Sequence, residues 1–222
     1  GQRKVILSFV QPESIEHQQV LLKQLGKMPI PRYIRRKPEV SDFDRYQTVF
    51  SKEENALAAP TSALHFTDKL FEKLLEKNVT ITDLTLEIGL GTFNPVYTEI
   101  IQEHRMHSER FTIPKETADT INDQKQQGKR VIALGTTTIR ATESAFKNGH
   151  IEAGTFKTDI FITPPYSFHV ADALITNFHT PRSTLLMLVA AFGGYNEIMK
   201  AYHKAIELQY RFYSYGDSMM II

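Results

Sequence analysis

Hydrophobic and polar positions change period repeatedly along this chain, and each change marks an element. Val5 to Val10 is an apolar, β-branched run that reads as a strand entering a sheet. ESIEHQQVLLKQLG follows with Ile15, Val20, Leu21, Leu22 and Leu25 on one apolar side and Gly26 as the stop, which predicts a helix. KMPIPRYIRRKPEVSD then breaks the pattern, because Pro29, Pro31 and Pro38 interrupt any helix and Arg32, Arg35, Arg36 and Lys37 crowd the stretch between them. The break divides a small leading region, residues 1–25, from a main body, residues 26–222.

From Thr67 onward helical and strand periods alternate. Thr67 is placed to cap a helix with the buried stripe Leu70, Phe71, Leu74 and Leu75, and Phe66 before the cap can staple onto its first turn. VTITDLTLEI alternates and reads as a strand, and another strand is expected around Arg110–Ile113. A helix from Pro114 to near Gly128, the short apolar strand VIAL and a turn into a helix at GTTTIRATESAF come next. Strands near 157–162 and 172–176, helices near 183–192 and 195–209, and a closing strand YRFYSY complete the order. Strands interleaved with helices imply an α/β domain with a mixed, largely parallel sheet, in which the closing strand can run antiparallel.

Composition narrows the function classes. Lys+Arg 26 against Asp+Glu 25 leaves a net charge of +1, so nucleic-acid binding would need a local patch. The absence of cysteine removes disulfides, thiolate metal sites and cysteine nucleophiles, and fits a reducing compartment. No apolar run reaches the length of a membrane span and no signal peptide is visible, so the reading is cytoplasmic with no membrane partner. The chain opens GQRKVILSFV with no initiator methionine, which suggests a shortened or processed chain.

Five segments carry candidate chemistry, each beside a plainer reading. GLGTFNP follows a predicted strand; Gly89 and Gly91 allow close backbone approach and Phe93 can stack on a ring, but the same residues make a tight turn. GTTTIRATES opens a helix, whose first amides suit a carboxylate or phosphate; ordinary threonine capping explains it equally. EHRMHSE spaces His104 and His107 by three, a weak metal pattern without a third ligand, and His107 alone is an acid/base candidate. RYIRRK offers a tyrosine among four cations, a phosphate-binding strip or a solvated loop. TNFHTPRSTLLMLVAAF runs a polar loop into a helix apolar on all sides, capped by Thr180 or Ser183, with Pro181 in the first turn. Such a helix holds Asn177, Phe178 and His179 rigidly, and packing alone leaves His179 unexplained.

APTSALHF, EIGLGTFNPV, HRMHSE, VIALGTTTIRATES, DALITNFHTPRSTLLMLVAAF and YRFYSYGDSM, in this order, resemble the S-adenosylmethionine:tRNA ribosyltransferase-isomerase family of queuosine biosynthesis, and MPIPRYIRR and DRYQTVFS do so too. The resemblance implies an α/β catalytic domain with a smaller inserted β domain, of which residues 1–25 would be the end or the connecting segment, the family's N-terminal part being absent. It implies transfer and isomerisation of the ribosyl group of S-adenosylmethionine onto 7-aminomethyl-7-deazaguanine at the wobble position of tRNA. The products would be epoxyqueuosine, adenine and methionine. S-adenosylmethionine is then a substrate, no metal is called for, tRNA is the partner and a monomer suffices.

That chemistry needs a base for the acidic C–H beside the sulfonium, a proton for departing adenine and a neutral aminomethyl nitrogen at C1′. The resemblance assigns these proton transfers to His65, Glu87, His107 and His179. It assigns substrate binding to Gly89, Gly91, Thr92, Phe93, Thr136, Thr137, Arg140 and Asn177, and tRNA phosphates to Arg32, Arg35 and Arg36. Three departures stand out. Glu87 occupies a histidine position, Ser62-Ala63 replaces Ala-Gly, and Pro165 replaces Gly in Pro-Gly-Tyr. Two alternatives therefore stay open: an inactive paralogue or fragment that binds tRNA or S-adenosylmethionine, and a metal-dependent hydrolase using His104 and His107.

Overall fold

The computed structural model describes residues 14–31, 33–51, 59–87 and 101–222. The expected strand at Val5–Val10 and the candidates Arg32, Gly89, Gly91, Thr92 and Phe93 lie outside them. The fold is α/β with two three-stranded sheets. One has the order β1 (Thr85–Glu87), β2 (Glu109–Ile113), β6 (Gly154–Thr158), antiparallel throughout. The other has the order β3 (Ile132–Leu134), β7 (Ala173–Asn177), β8 (Ser218–Ile221). β3 and β7 run parallel and β8 is antiparallel to β7, so this sheet is mixed.

The local sequence explains the placements. In β2, Glu109, Phe111 and Ile113 point inward, as the two-residue period demands. β7 is buried along nearly its whole length because it is the central strand of its sheet. Helix α5 (Thr136–Ala145) joins two apolar cores. Its Ile139 packs with Leu174, Phe178, Leu188 and Ile198, where α6 (Thr184–Gly193) and α7 (Tyr195–Glu207) meet the mixed sheet. Its Ala141 and Ala145 pack with Phe111, Ile113 and Ile121 beneath α4 (Lys115–Gln126).

The capping expected at Thr67 is present: its hydroxyl accepts from Leu70 N–H at 3.3 Å, opening α3 (Asp68–Glu76). The Phe66 and Phe71 rings stand 5.7 Å apart as the staple. Ser183, not Thr180, caps α6, accepting from Leu186 N–H at 3.2 Å.

Five expectations change. The sheets are not largely parallel: among the described strands β3–β7 is the single parallel pair, and the other pairs are antiparallel. Of the strand read over 79–88, the described residues form strand only from Thr85 to Glu87; Thr82 is instead tied to Thr117 by a 2.6 Å hydroxyl contact. The closing strand is Ser218–Ile221 rather than YRFYSY. Phe212 packs onto Phe178 with ring centroids 4.9 Å apart while Tyr210 stays exposed at its edge, and a side chain on Gly216 would meet Arg211 O and Phe212 C at 2.4 Å, so the chain doubles back there. The α3 stripe is only partly covered, with Leu75 58% exposed. α1 (Ile15–Leu25) buries none of its residues. Several elements were not anticipated: the short helix Ser41–Arg45, the 3₁₀ turns Thr61–His65 and Ile101–Glu103, and a hairpin of β4 (Phe146–Lys147) and β5 (His150–Ile151) through Asn148-Gly149, both at positive φ, the turn that Asn-Gly favours.

Candidate functional site

The carboxyl ends of the parallel strands β3 and β7 define a place where loops converge, the usual location of ligands in such sheets. β3 leads through Gly135 into α5. Gly135 sits at φ 94°, donates its N–H to Ile175 O at 2.9 Å, and leaves only 3.0 Å between an added side chain and Ser62 Oγ. The 3₁₀ helix Thr61–His65 thus lies against the strand ends. Gly135 is the N-cap of α5, and no side chain caps that helix. This corrects the expected threonine cap: Thr138 turns its hydroxyl back to Leu134 O at 2.7 Å. Thr136 is buried and Thr137 half-buried in the uncapped first turn.

β7 ends in Asn177, which is buried and gathers its neighbours. Its Oδ1 accepts from Thr61 Oγ1 at 3.4 Å, and its Nδ2 donates to Tyr213 O at 3.2 Å and faces His65 Nε2 at 3.4 Å. Because Nδ2 only donates, His65 Nε2 accepts, and the neutral ring carries its proton on Nδ1. His65 remains exposed. His179, two residues beyond Asn177, hydrogen-bonds Thr176 Oγ1 through Nε2 at 2.8 Å, and its N–H donates to Tyr202 Oη at 2.8 Å. Burial pushes the His179 imidazole down to about 4, because an enclosed ring cannot hydrate a charge. His179 is therefore neutral at pH 7, an acceptor or a positioning group rather than a proton donor.

A second strand of contacts joins this place to the proline-rich loop. The Tyr33 ring lies 5.0 Å from that of Tyr213, and the Tyr33 hydroxyl pairs with Ser214 Oγ and accepts from Ser214 N–H at 3.0 Å. Asp42 is buried and takes Arg36 through both oxygens, at 2.6 and 2.7 Å, with Glu39 N–H at 2.8 Å and Tyr215 Oη at 2.9 Å. The Arg36 guanidinium holds the Asp42 carboxyl well below the usual carboxylate range. Arg36 is thus committed to an internal carboxylate, whereas Arg35 is exposed on the same loop.

Other candidates lie elsewhere. Glu87 ends β1, 3.6 Å from Arg110 Nε, and His107 is exposed just before β2, both on the antiparallel sheet. The His104 ring rests 5.2 Å from Phe161, and among the described residues no three His, Asp or Glu side chains converge as a metal site. Arg140 is buried: it pairs with Glu109 and donates through Nε to Ile160 O at 3.2 Å, and its Nη2 is left without a hydrogen-bond partner. Reading the sequence missed Thr61, Asp42, Tyr202, Tyr213 and Ser214 as parts of this network. YRFYSYGDSM carried the signal for two of them, in its tight Gly216 turn and clustered aromatics.

The family model described as queuosine biosynthesis protein matches residues 1–221. Curated relatives called S-adenosylmethionine:tRNA ribosyltransferase-isomerase include one from Citrifermentans bemidjiense, 52% identical over 90% of this chain and 59% of its own. Another, from Geobacter metallireducens, is 53% identical over 90% of this chain and 59% of its own. A crystal structure of S-adenosylmethionine tRNA ribosyltransferase from Thermotoga maritima superposes with a TM-score of 0.61 at 43% identity, over 72% of this chain and 51% of that one. The chain spans about three fifths of the length of the curated relatives it matches. Among the described residues no helix is long and apolar enough to cross a membrane.

Proposed function

The chain belongs to the queuosine biosynthesis protein family, and from that premise we propose that it carries the main body of an S-adenosylmethionine:tRNA ribosyltransferase-isomerase. The reaction moves the ribosyl group of S-adenosylmethionine onto the aminomethyl nitrogen of 7-aminomethyl-7-deazaguanine in tRNA, isomerises it to epoxyqueuosine, and releases adenine and methionine. Residues 26–222 are the catalytic body and residues 1–25 the connection to a smaller domain. The protein acts in the cytoplasm as a monomer on tRNA, with S-adenosylmethionine as substrate and no metal.

The observation that carries the reading is the His65–Asn177–Tyr213 constellation at the ends of β3 and β7. An exposed imidazole held by a buried amide presents its Nδ1–H outward to a substrate acceptor such as the adenine ring, and its Nε2 becomes available to collect the C–H proton beside the sulfonium when that nitrogen parts from Asn177. The uncapped first turn of α5, with Thr136 and Thr137, suits the methionine carboxylate. His179, neutral and buried, orients this wall, while Glu87 and His107 act from the antiparallel sheet. Arg35 and Arg32 take tRNA phosphates, and Arg36 and Arg140 support the site through their carboxylate partners.

The test is adenine release from S-adenosylmethionine in the presence of tRNA carrying 7-aminomethyl-7-deazaguanine, with the chain as given and a version of full relative length. Release that falls at least tenfold in His65→Ala supports the reading. A full-length protein that binds the tRNA and releases no adenine would replace it with a second one, a binding paralogue. The Glu87–Arg110 ion pair favours that second reading, since it gives a carboxylate at a family histidine position a structural partner.

A further inference from the structure

Three consecutive residues before β8, Tyr213, Ser214 and Tyr215, are each gripped by the segment between Tyr33 and Tyr46. The Tyr33 ring lies 5.0 Å from that of Tyr213. Its hydroxyl pairs with Ser214 Oγ and accepts from Ser214 N–H at 3.0 Å. Tyr215 donates its hydroxyl to the buried Asp42 at 2.9 Å. The Tyr215 ring meets the Tyr46 ring at 5.5 Å and the Arg45 guanidinium at 5.9 Å. Asp42 is fastened in turn by Arg36 and by Glu39 N–H.

The loop needs that grip. Tyr213 stands at φ 72°, a conformation that a tyrosine does not hold by its own preference. The loop's internal ties are Gly216 N–H on Tyr213 O at 3.0 Å, Asp217 N–H on Arg211 O at 2.7 Å, and Arg211 on the Asp217 carboxylate. They leave the N–H and hydroxyl of buried Ser214 to Tyr33, and buried polar groups need partners. The backbone of Tyr213 is engaged by the site: its O accepts from Asn177 Nδ2 at 3.2 Å, and its N–H donates to Phe178 O at 2.9 Å. Asn177 Nδ2 also faces His65 Nε2 at 3.4 Å. An amide nitrogen carries two hydrogens in one plane, so aiming one at Tyr213 O sets the direction of the other toward His65.

We propose that Tyr33 is a positioning residue for the proposed reaction: by holding Ser214 and Tyr213 it aims the Asn177 amide, and so fixes the orientation and tautomer of His65. The inference rests on the reading of His65 as a proton-transfer group. It gives the proline-rich loop a second task, since Tyr33 shares that loop with the exposed Arg35 assigned to tRNA phosphates. One element then meets the tRNA and holds the wall of the site. The consequence is a defined proton position: His65 keeps its proton on Nδ1 only while Asn177 donates to Nε2.

The test uses Tyr33→Phe in the version of full relative length. The variant keeps the ring on Tyr213 and removes only the hydroxyl. NMR shifts of the His65 ring, read with isotope-labelled histidine at alkaline pH and assigned with His65→Gln, report the tautomer. The Nδ1–H form should dominate in the parent and fall by at least half in the variant. The kcat for adenine release should fall at least tenfold, with KM for tRNA changed less than twofold, since no tRNA contact is removed. Ser214→Ala cuts the hydroxyl pair from the other side and should move both readouts the same way. It decides the question if Tyr33→Phe shows no cooperative thermal transition. The proposal is overturned if the tautomer is unchanged in the folded variants, if kcat is unchanged, or if KM alone rises. A parent that releases no adenine removes the proposed activity, and the His65 tautomer alone then decides the positioning by Tyr33.

Discussion

The side-chain amide of Asn177 donates to the backbone carbonyl of Tyr213 across 3.2 Å, and Tyr213 returns its own N–H to Phe178 O at 2.9 Å. The end of β7 and the aromatic loop before β8 are thereby locked to each other, with Tyr213 at φ 72°. A non-glycine residue in that region is a place where the surroundings overrule local preference. Here the result is an amide aimed at His65.

Asn177→Ala removes this lock. Each lost hydrogen bond is worth about 1 kcal/mol, so urea denaturation is expected to register a loss of about 1–2 kcal/mol. Adenine release by the longer protein should fall at least tenfold, which corresponds to about 1.4 kcal/mol of transition-state stabilisation. Unchanged release would separate Asn177 from the chemistry.

Arg140→Met tests whether Arg140 holds substrate or structure. Its guanidinium is buried against Glu109, and removing it strands that carboxylate. Breaking a buried pair costs about 3–5 kcal/mol, so the variant should unfold at markedly lower denaturant. Arg140→Lys should recover only part of this, since one ammonium cannot reach both Glu109 and Ile160 O. A variant of full stability with a raised KM would reverse the assignment.

Stability should fall with acid below neutrality. His179 titrates near 6.5 when unfolded and near 4 when folded, because burial disfavours its charge. Between those values the unfolded chain binds more protons, so the contribution of this group is complete above about pH 6.5 and is lost as pH falls toward 4. The loss is roughly 3 kcal/mol. His179→Gln should flatten the slope between pH 6.5 and 4 in denaturation curves.

Helix α7 ends with Gln209 N–H on Ile206 O and Tyr210 N–H on Ala205 O, with Gln209 at φ 58°. Glycine is the residue that suits this terminating conformation. Gln209→Gly should therefore stabilise the protein by about 1 kcal/mol, read as a higher denaturation midpoint with an unchanged slope.

The sequence by itself determined the local elements. Thr67 with Phe66 and Phe71 specified a helix start, because a cap and a staple act within one turn. Leu185 to Phe192 specified a helix covered on several sides, and the alternation of β2 specified its inward face. The Asn148-Gly149 hairpin is equally local, since the Asn-Gly pair alone suits its turn. His65 and Asn177 could be named as candidates only by resemblance to a family, since neither lies in a pattern that spacing explains.

Only the tertiary structure decided which distant groups meet. Residue 65 reaches residue 177, and residue 33 reaches residues 213 and 214, through contacts that no local period encodes. The same holds for charges: the resemblance assigns Arg36 to tRNA phosphates and Arg140 to substrate, and in the fold each meets a buried carboxylate, Asp42 and Glu109. The closing strand shifted from YRFYSY to Ser218–Ile221 for a related reason. Strand propensity is a weak local preference, and packing Phe212 against Phe178 and Tyr202 outweighs it. Periodicity reports which face of an element is apolar; what covers that face depends on elements far away in the chain.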